Sequence, residues 1–124
     1  MTSNVISSTN KGPLEGVKVL DLGQIYNGPY AGFLLAHAGA DVVKVEPLSG
    51  EILRERGGGE VPLSFAMLNT NKRGITIDLK ESKGRELLLN LAGEADVLLE
   101  NFAPEAMDRL GLELDLFLKN NPRL

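Results

Sequence analysis

A strand–helix–strand pattern near the amino terminus is the feature that most limits what this chain can fold into. The first apolar run, Val17–Leu22, breaks at a glycine and passes through an elbow, Gly23–Pro29, into a helix predicted to start at Tyr30. A second run, Asp41–Glu46, follows the helix. Apolar strands separated by a helix are typical of a parallel sheet covered on both faces. In such sheets the elbow after the first strand lies where ligands bind.

The rest of the chain repeats this alternation, after a loop that follows Pro47. We predict a short helix over Leu63–Leu68, a strand over Gly74–Leu79, a helix capped by Ser82 and a strand over Ala95–Glu100, with two further short helices over 104–110 and 113–120. The sequence therefore predicts an α/β fold, a Rossmann-like doubly wound parallel sheet with right-handed crossovers that ends after the fourth strand and its helices.

Composition excludes several classes of function. The net charge of −4 argues against a nucleic-acid partner, which usually meets a basic surface. The chain has no cysteine, so it has neither a disulfide nor thiolate chemistry, which fits a cytoplasmic location. Its apolar stretches are too short to span a membrane. Residues 1–12 are polar and are predicted to be a disordered tail, leaving 13–124 as part of one domain.

A nicotinamide-cofactor site is not supported by the elbow. That site needs Gly-x-Gly-x-x-Gly so that the backbone can approach a pyrophosphate. Here Gly23 and Gly28 are separated by Ile25 and Tyr26, and the spacing is wrong. Glu46 stands where a ribose-binding acid would, but a carboxylate at a strand end is also an ordinary solvated residue.

Cationic residues near the predicted strand ends suggest an anion site instead. Lys80 follows the third strand, and Asn101 and Arg109 follow the fourth, so the topology can bring them to the edge that carries the elbow. The alternative is that each cation is simply solvated. The single histidine, His37, has no partner at a telling spacing, and no cluster of metal ligands is present.

Five blocks of sequence, taken together, resemble family III CoA-transferases. The blocks are 13–22, 28–29, 39–47, 71–80 and 95–102, in the order and spacing of the family's amino-terminal part. This is the formyl-CoA and carnitine CoA-transferase group, which also contains α-methylacyl-CoA racemase. The resemblance implies that residues 13–124 are the first part of a Rossmann-like domain that binds coenzyme A.

The resemblance also implies which residues contact the coenzyme. The positions that match the family's contacts are Tyr26, Asn27, Ile77, Asp78, Leu79, Lys80, Asn101, Phe102, Ala103 and Arg109. Of these, Lys80 and Arg109 would meet phosphates, and Phe102 would flank the adenine. Two positions depart from the family. Pro47 replaces an arginine that some members use, and Arg54 is the candidate to substitute for it; Tyr26 replaces the glutamine of formyl-CoA transferase.

The family attacks the acyl thioester with an aspartate, which in the resemblance lies beyond residue 124. We therefore expect an amino-terminal fragment with no catalytic residue of its own and no transferase activity in isolation. The implied partners are an acyl-CoA, a carboxylic acid acceptor and, in a full-length protein, a second copy in an interlocked homodimer. No metal is implied. An acyl-CoA racemase, or a coenzyme- or nucleotide-binding module without catalysis, remains as an alternative.

Overall fold

A computed structural model describes residues 12–57 and 60–124, in which four parallel strands form one sheet. The strands are β1 (Lys18–Asp21), β2 (Asp41–Glu46), β3 (Arg73–Thr76) and β4 (Val97–Leu99). Their order across the sheet is β3-β2-β1-β4, with β1 and β2 in register from Lys18 opposite Asp41. The predicted α/β parallel sheet is confirmed. The tail predicted over 1–12 lies outside the described residues except for Gly12.

Helices connect these strands and lie on both faces of the sheet. They are α1 (Asn27–His37), α2 (Leu63–Asn69), α3 (Ser82–Ala92), α4 (Ala106–Arg109) and α5 (Leu114–Asn120), with a 3₁₀ helix over Ile52–Gly57. Among the described residues, no helix has the length and apolar character needed to cross a membrane.

The third strand and the helix after it differ from their predicted bounds. The strand ends at Thr76, because the Asp78 carboxylate accepts a hydrogen bond from the Lys80 N–H at 2.9 Å and turns the chain. Ser82 was expected to cap α3 but is its first helical residue, and the cap position falls on Glu81, which makes no side-chain capping bond. The turn at Asp78 therefore places Lys80 beside the carboxyl end of the sheet.

The side chains of β1 and β2 alternate between two different interiors. On one face Leu20, Leu22 and Val45 pack with Leu88 of α3 and Phe117 of α5. On the other face Val19 and Val42 pack with residues of α1 and the turn that follows it, namely Ala36 and Ala40. A strand that buries both faces is expected to be apolar throughout. On the face covered by α1, the strands depart from this expectation towards their carboxyl ends.

The packing face of α1 was predicted wrongly. In the sequence, Tyr30, Phe33, Leu34 and Ala38 recur at 3.6-residue spacing, which predicts that they form the packing face. In the structure, however, Tyr30 is 53% exposed and Leu34 is 49% exposed. The buried residues of α1 are instead Gly28, Pro29, Gly32 and Ala36. Small residues let the helix backbone approach the sheet closely. A Cβ added to Gly32 would lie 2.5 Å from Asp21 Oδ2, so α1 rests directly on a buried carboxylate.

Candidate functional site

A cleft of about 220 Å³ lies at the carboxyl ends of the strands, where the sheet meets the elbow. Its walls are mostly apolar, with a few polar groups. The lining residues are Leu22, Gly23, Gln24, Val45, Glu46, Pro47, Glu51, Ile77, Asp78, Leu79, Lys80, Phe102 and Leu110. An apolar cleft with a few convergent polar groups is the usual form of a small-molecule site. At this volume it encloses only a segment of a large flexible ligand.

Half of the predicted site residues line this cleft. The turn after β3 contributes four in succession, Ile77, Asp78, Leu79 and Lys80, and Phe102 comes from the loop after β4. Lys80 is exposed and is the only cation among the lining residues. The cleft therefore offers one positive charge at its edge and an aromatic side chain.

The other predicted site residues do not line the cleft. Tyr26 and Asn27, at the start of α1, and Ala103 are exposed outside it. Arg109 lies in α4 with Glu105, 3.8 Å from its carboxylate, as an exposed pair one helical turn apart. Lys80 and Arg109 were expected to form one anion pocket together, but only Lys80 lines this cleft.

Asn101 holds the elbow through two hydrogen bonds. Its Oδ1 accepts the Gln24 N–H at 2.7 Å, and its Nδ2 donates to the Gln24 carbonyl at 3.0 Å. The amide thus satisfies both backbone groups of one residue, as a neighbouring strand would. Gly28 must be glycine here, because a Cβ would lie 2.6 Å from Gly23 Cα and 2.8 Å from Asn101 Oδ1. Asn101 shapes the wall of the cleft.

Three charged side chains are buried beneath the elbow, on the α1 face of the sheet. Lys72 Nζ donates to Asp21 Oδ2 at 2.7 Å, and both side chains are at most 1% exposed. The same ammonium donates to the Pro29 carbonyl at 2.8 Å. Lys44, next to Asp21 in the sheet register, donates to the Gly23 carbonyl at 2.7 Å. Burial lowers the pKa of Lys72 below its usual value of 10.5, although hydrogen bonding to Asp21 opposes this.

A second polar cluster follows β2. Arg54 donates to both oxygens of Glu46, from Nε at 2.7 Å and from Nη2 at 2.8 Å, and its guanidinium lies 3.9 Å from the centre of the Phe65 ring. Burial raises the pKa of Glu46, but the hydrogen bonds from Arg54 and from the Glu51 N–H outweigh it, so the pKa falls below 4.5. Arg54 is therefore paired with Glu46 and does not line the cleft. It was expected there as a substitute for the arginine that some family members have at the position of Pro47.

Sequence reasoning missed three residues of the site. Lys72 was one of the cations near the strand ends, for which an anion site and plain solvation were both open. Lys44 was placed in a strand without a role, and Glu51 lay in an aperiodic loop. One signal was available for Lys44: a lysine inside a run of valines needs a buried partner. Glu51 gave no signal, because its role depends on the loop folding back against the elbow. In the described residues, no three histidine, cysteine or carboxylate side chains form a metal-binding group.

Comparison with known proteins identifies the family. The profile described as CoA-transferase family III matches residues 14–124, which is most of the chain. The chain belongs to CoA-transferase family III. The resemblance inferred from the five sequence blocks is thereby confirmed.

The curated relatives of this family III chain are longer proteins. A formyl-CoA:oxalate CoA-transferase of Streptomyces avermitilis is 46% identical over 114 residues, covering 90% of this chain and 28% of the relative. An acyl-CoA transferase of Fusarium pseudograminearum is 38% identical over 130 residues, covering 95% of this chain and 28% of that protein. The chain thus spans little more than a quarter of the length of the relatives it matches.

Two solved structures share the fold of this chain. A hypothetical protein of Mycobacterium tuberculosis matches with a TM-score of 0.86 at 40% identity, over 91% of this chain and 32% of that one. A CAIB/BAIF family protein from Brucella suis matches with a TM-score of 0.81 at 37% identity, over 92% of this chain and 32% of that one. The sheet and helices described above therefore recur in both of these solved proteins.

Proposed function

We propose that the cleft binds part of coenzyme A, and that this chain is the coenzyme-binding portion of an enzyme that moves coenzyme A between carboxylic acids. The observation that carries the proposal is the convergence of the Ile77–Lys80 turn, Phe102 and the elbow on one cleft. Lys80 supplies a cation for a phosphate, and the apolar wall accepts uncharged parts of the ligand. The substrates are an acyl-CoA and a carboxylate acceptor.

Transfer is favoured over racemisation by the names of the relatives. Formyl-CoA:oxalate CoA-transferases of Streptomyces avermitilis and Afipia carboxidovorans are 46% and 47% identical to this chain. The chemistry we propose is attack of an aspartate carboxylate on the acyl thioester, which expels the coenzyme A thiolate and forms a mixed anhydride. The thiolate then attacks the aspartyl carbonyl, which releases the first carboxylate and leaves coenzyme A on the enzyme as a thioester. We propose further that this chain contributes binding and positioning in a cytoplasmic, homodimeric enzyme.

Calorimetric titration of the chain with coenzyme A tests the binding proposal. Lys80→Ala is expected to weaken binding about threefold to tenfold, because it removes an exposed charge-assisted hydrogen bond to phosphate. The matched control is Lys83→Ala, which removes the same charge from the first turn of α3, outside the cleft. Raising the ionic strength should shrink the effect of Lys80→Ala, since salt screens exposed charges.

Two results would contradict the proposal. The first is a folded wild-type chain, established by circular dichroism, that binds no coenzyme A at millimolar concentration. The second is equal weakening by Lys80→Ala and Lys83→Ala, which would indicate diffuse attraction to the surface and no specific site at the cleft.

A further inference from the structure

Glu51 contacts the elbow and lines the cleft, and only one of its carboxylate oxygens is used in the contact with the elbow. Its Oε1 accepts the Ile25 N–H at 2.9 Å and the Leu53 N–H at 3.2 Å. Its Oε2 is buried and has no hydrogen-bond partner among the residues that the structure describes. The whole residue is 3% exposed and lines the cleft. A buried carboxylate oxygen without a donor is costly, so this position calls for a donor from outside the described residues.

The elbow that Glu51 contacts is strained. Ile25 has a φ of +62°, a left-handed conformation that a β-branched residue adopts at a cost of about 1–3 kcal/mol. The hydrogen bond from the Ile25 N–H to Glu51 holds the backbone in that conformation. The hydrogen bond from the Gln24 N–H to Asn101 fixes the preceding residue. Strained backbone held by surrounding side chains is a common feature of ligand-binding positions.

The charges around the cleft decide which part of a coenzyme faces Glu51. Glu46 and Glu51 line the cleft together with the elbow residues Gly23 and Gln24, whereas Lys80 lies with Asp78 on the turn after β3. Phosphates are repelled by carboxylates and attracted by the lysine. The uncharged pantetheine arm, which carries two amide N–H groups and a hydroxyl, is the part of coenzyme A that offers neutral donors to a carboxylate.

We infer that Glu51 Oε2 accepts a hydrogen bond from an N–H or O–H group of the pantetheine arm, while Oε1 keeps the elbow in its strained conformation. This inference rests on the proposed coenzyme-binding function and adds a ligand contact that the predicted site did not contain. Glu51 is thus both a binding residue and the positioning residue for Ile25.

Substitution by the isosteric amide separates the two oxygens. Glu51→Gln can keep an acceptor for the Ile25 N–H, but it places an NH₂ donor where the ligand donor should bind. Losing a hydrogen bond to a charged acceptor is expected to weaken coenzyme A binding about tenfold to a hundredfold. The matched control is Glu55→Gln, which neutralises an exposed carboxylate of the neighbouring 3₁₀ helix that does not line this cleft.

A second ligand distinguishes a contact with the pantetheine arm from a general loss of structure. Adenosine 3′,5′-bisphosphate lacks that arm, so we expect wild type and Glu51→Gln to bind it equally. Equal weakening for both ligands would overturn the inference, because it would indicate damage to the whole site. Thermal unfolding of Glu51→Gln should stay close to wild type, and Glu51→Ala, which also releases Ile25, should unfold at a lower temperature.

The remaining outcomes separate this inference from the proposed function. If coenzyme A binds and Lys80→Ala weakens it, but Glu51→Gln does not, the inference is wrong and the proposed function stands. If the folded wild-type chain binds no coenzyme A, the proposed function fails, and the inference fails with it.

Discussion

The two faces of the sheet are built from the same strands but bury different chemistry at their carboxyl ends. On the face covered by α3 and α5, the side chains remain apolar along the strands, from Leu20 to Leu22. On the α1 face, Val19 is followed by Asp21, and Val42 is followed by Lys44 and then Glu46, all of them buried. The polar half of this second face lies under the elbow.

This difference separates a face held together by apolar packing from one whose buried charges hold the elbow. The apolar face gains stability by removing leucine and phenylalanine side chains from water. On the charged face, folding must remove Asp21 and Lys72 from water, which costs free energy. The ion pair between them at best offsets that cost. In return, these groups and their neighbours hold the backbone of residues 23–25, where the Gly23 N–H binds Asp21 and the Gly23 carbonyl binds Lys44. Polar burial is therefore concentrated where the chain needs a fixed loop.

The largest expected effect comes from removing one member of the buried ion pair. Lys72→Met leaves the Asp21 carboxylate buried without its cation, and the free energy of unfolding should fall by about 3–5 kcal/mol. Urea unfolding measures this. On the other face, Leu88→Ala should cost about 2–5 kcal/mol by leaving a cavity.

A double variant distinguishes the loss of an ion pair from the loss of apolar packing. Adding Asp21→Asn to Lys72→Met should recover part of the lost stability, because the unpaired charge is gone. No second polar change can rescue Leu88→Ala in this way. A Lys72→Met variant as stable as wild type would show that the charged face does not depend on the pair.

The next effect tests how closely α1 approaches the charged face. Gly32→Ala would ordinarily stabilise a helix by about 1 kcal/mol. Here the new methyl would lie 2.5 Å from Asp21 Oδ2 and 3.0 Å from Lys72 Nζ, so we expect a net loss of about 1–3 kcal/mol by thermal or urea unfolding. Ala31→Gly in the same helix is the control for propensity alone. A stabilised Gly32→Ala chain would mean that α1 can move away from the carboxylate.

The smallest effect is the pH dependence of the pair formed by Glu46 and Arg54. The pKa of Glu46 is lower in the folded chain than its usual 4.5, so the carboxylate adds stability above pH 4.5 and loses it progressively as the pH falls through the folded value. The contribution should be about 1 kcal/mol or less, since the Arg54 side chain is 42% exposed to screening water.

Urea unfolding between pH 6 and pH 3 measures this contribution as the difference between wild type and Glu46→Gln. That difference should narrow as the solution becomes more acidic. A difference that stays constant across the range would show that Glu46 does not titrate below its usual value.

Sequence reasoning predicted much of the fold because local patterns determine it. The bounds of β2 were correct, and glycines at positions 39 and 111 end helices with φ of +103° and +69°. The prediction failed for α1, because 3.6-residue spacing of large apolar residues was taken as the packing face. The small residues at positions 28, 32 and 36 face the sheet instead, and the Asp21 carboxylate and the Lys72 ammonium lie directly beneath Gly32.

The candidate site likewise contains residues that the sequence located and residues that it did not. The Ile77–Lys80 turn and Phe102 follow strand ends, so topology and family resemblance pointed to the edge where the cleft is found. The coenzyme contact of Asn101 stays a prediction, whereas the bonds from its amide to the backbone of Gln24 were not foreseen from the sequence. The contacts of Lys72 with Asp21 and of Glu51 with Ile25 cross 51 and 26 residues of sequence. No local pattern encodes such pairings.

The sequence by itself determined the alternation of strands and helices, the parallel sheet and the family, because these depend on periodicity and on blocks that are contiguous in the chain. Only the tertiary structure decided which polar side chains are buried and what they hold. The physical reason is that desolvation and hydrogen bonding depend on groups brought together by folding, whereas periodicity reports only which residues share one face of a single element.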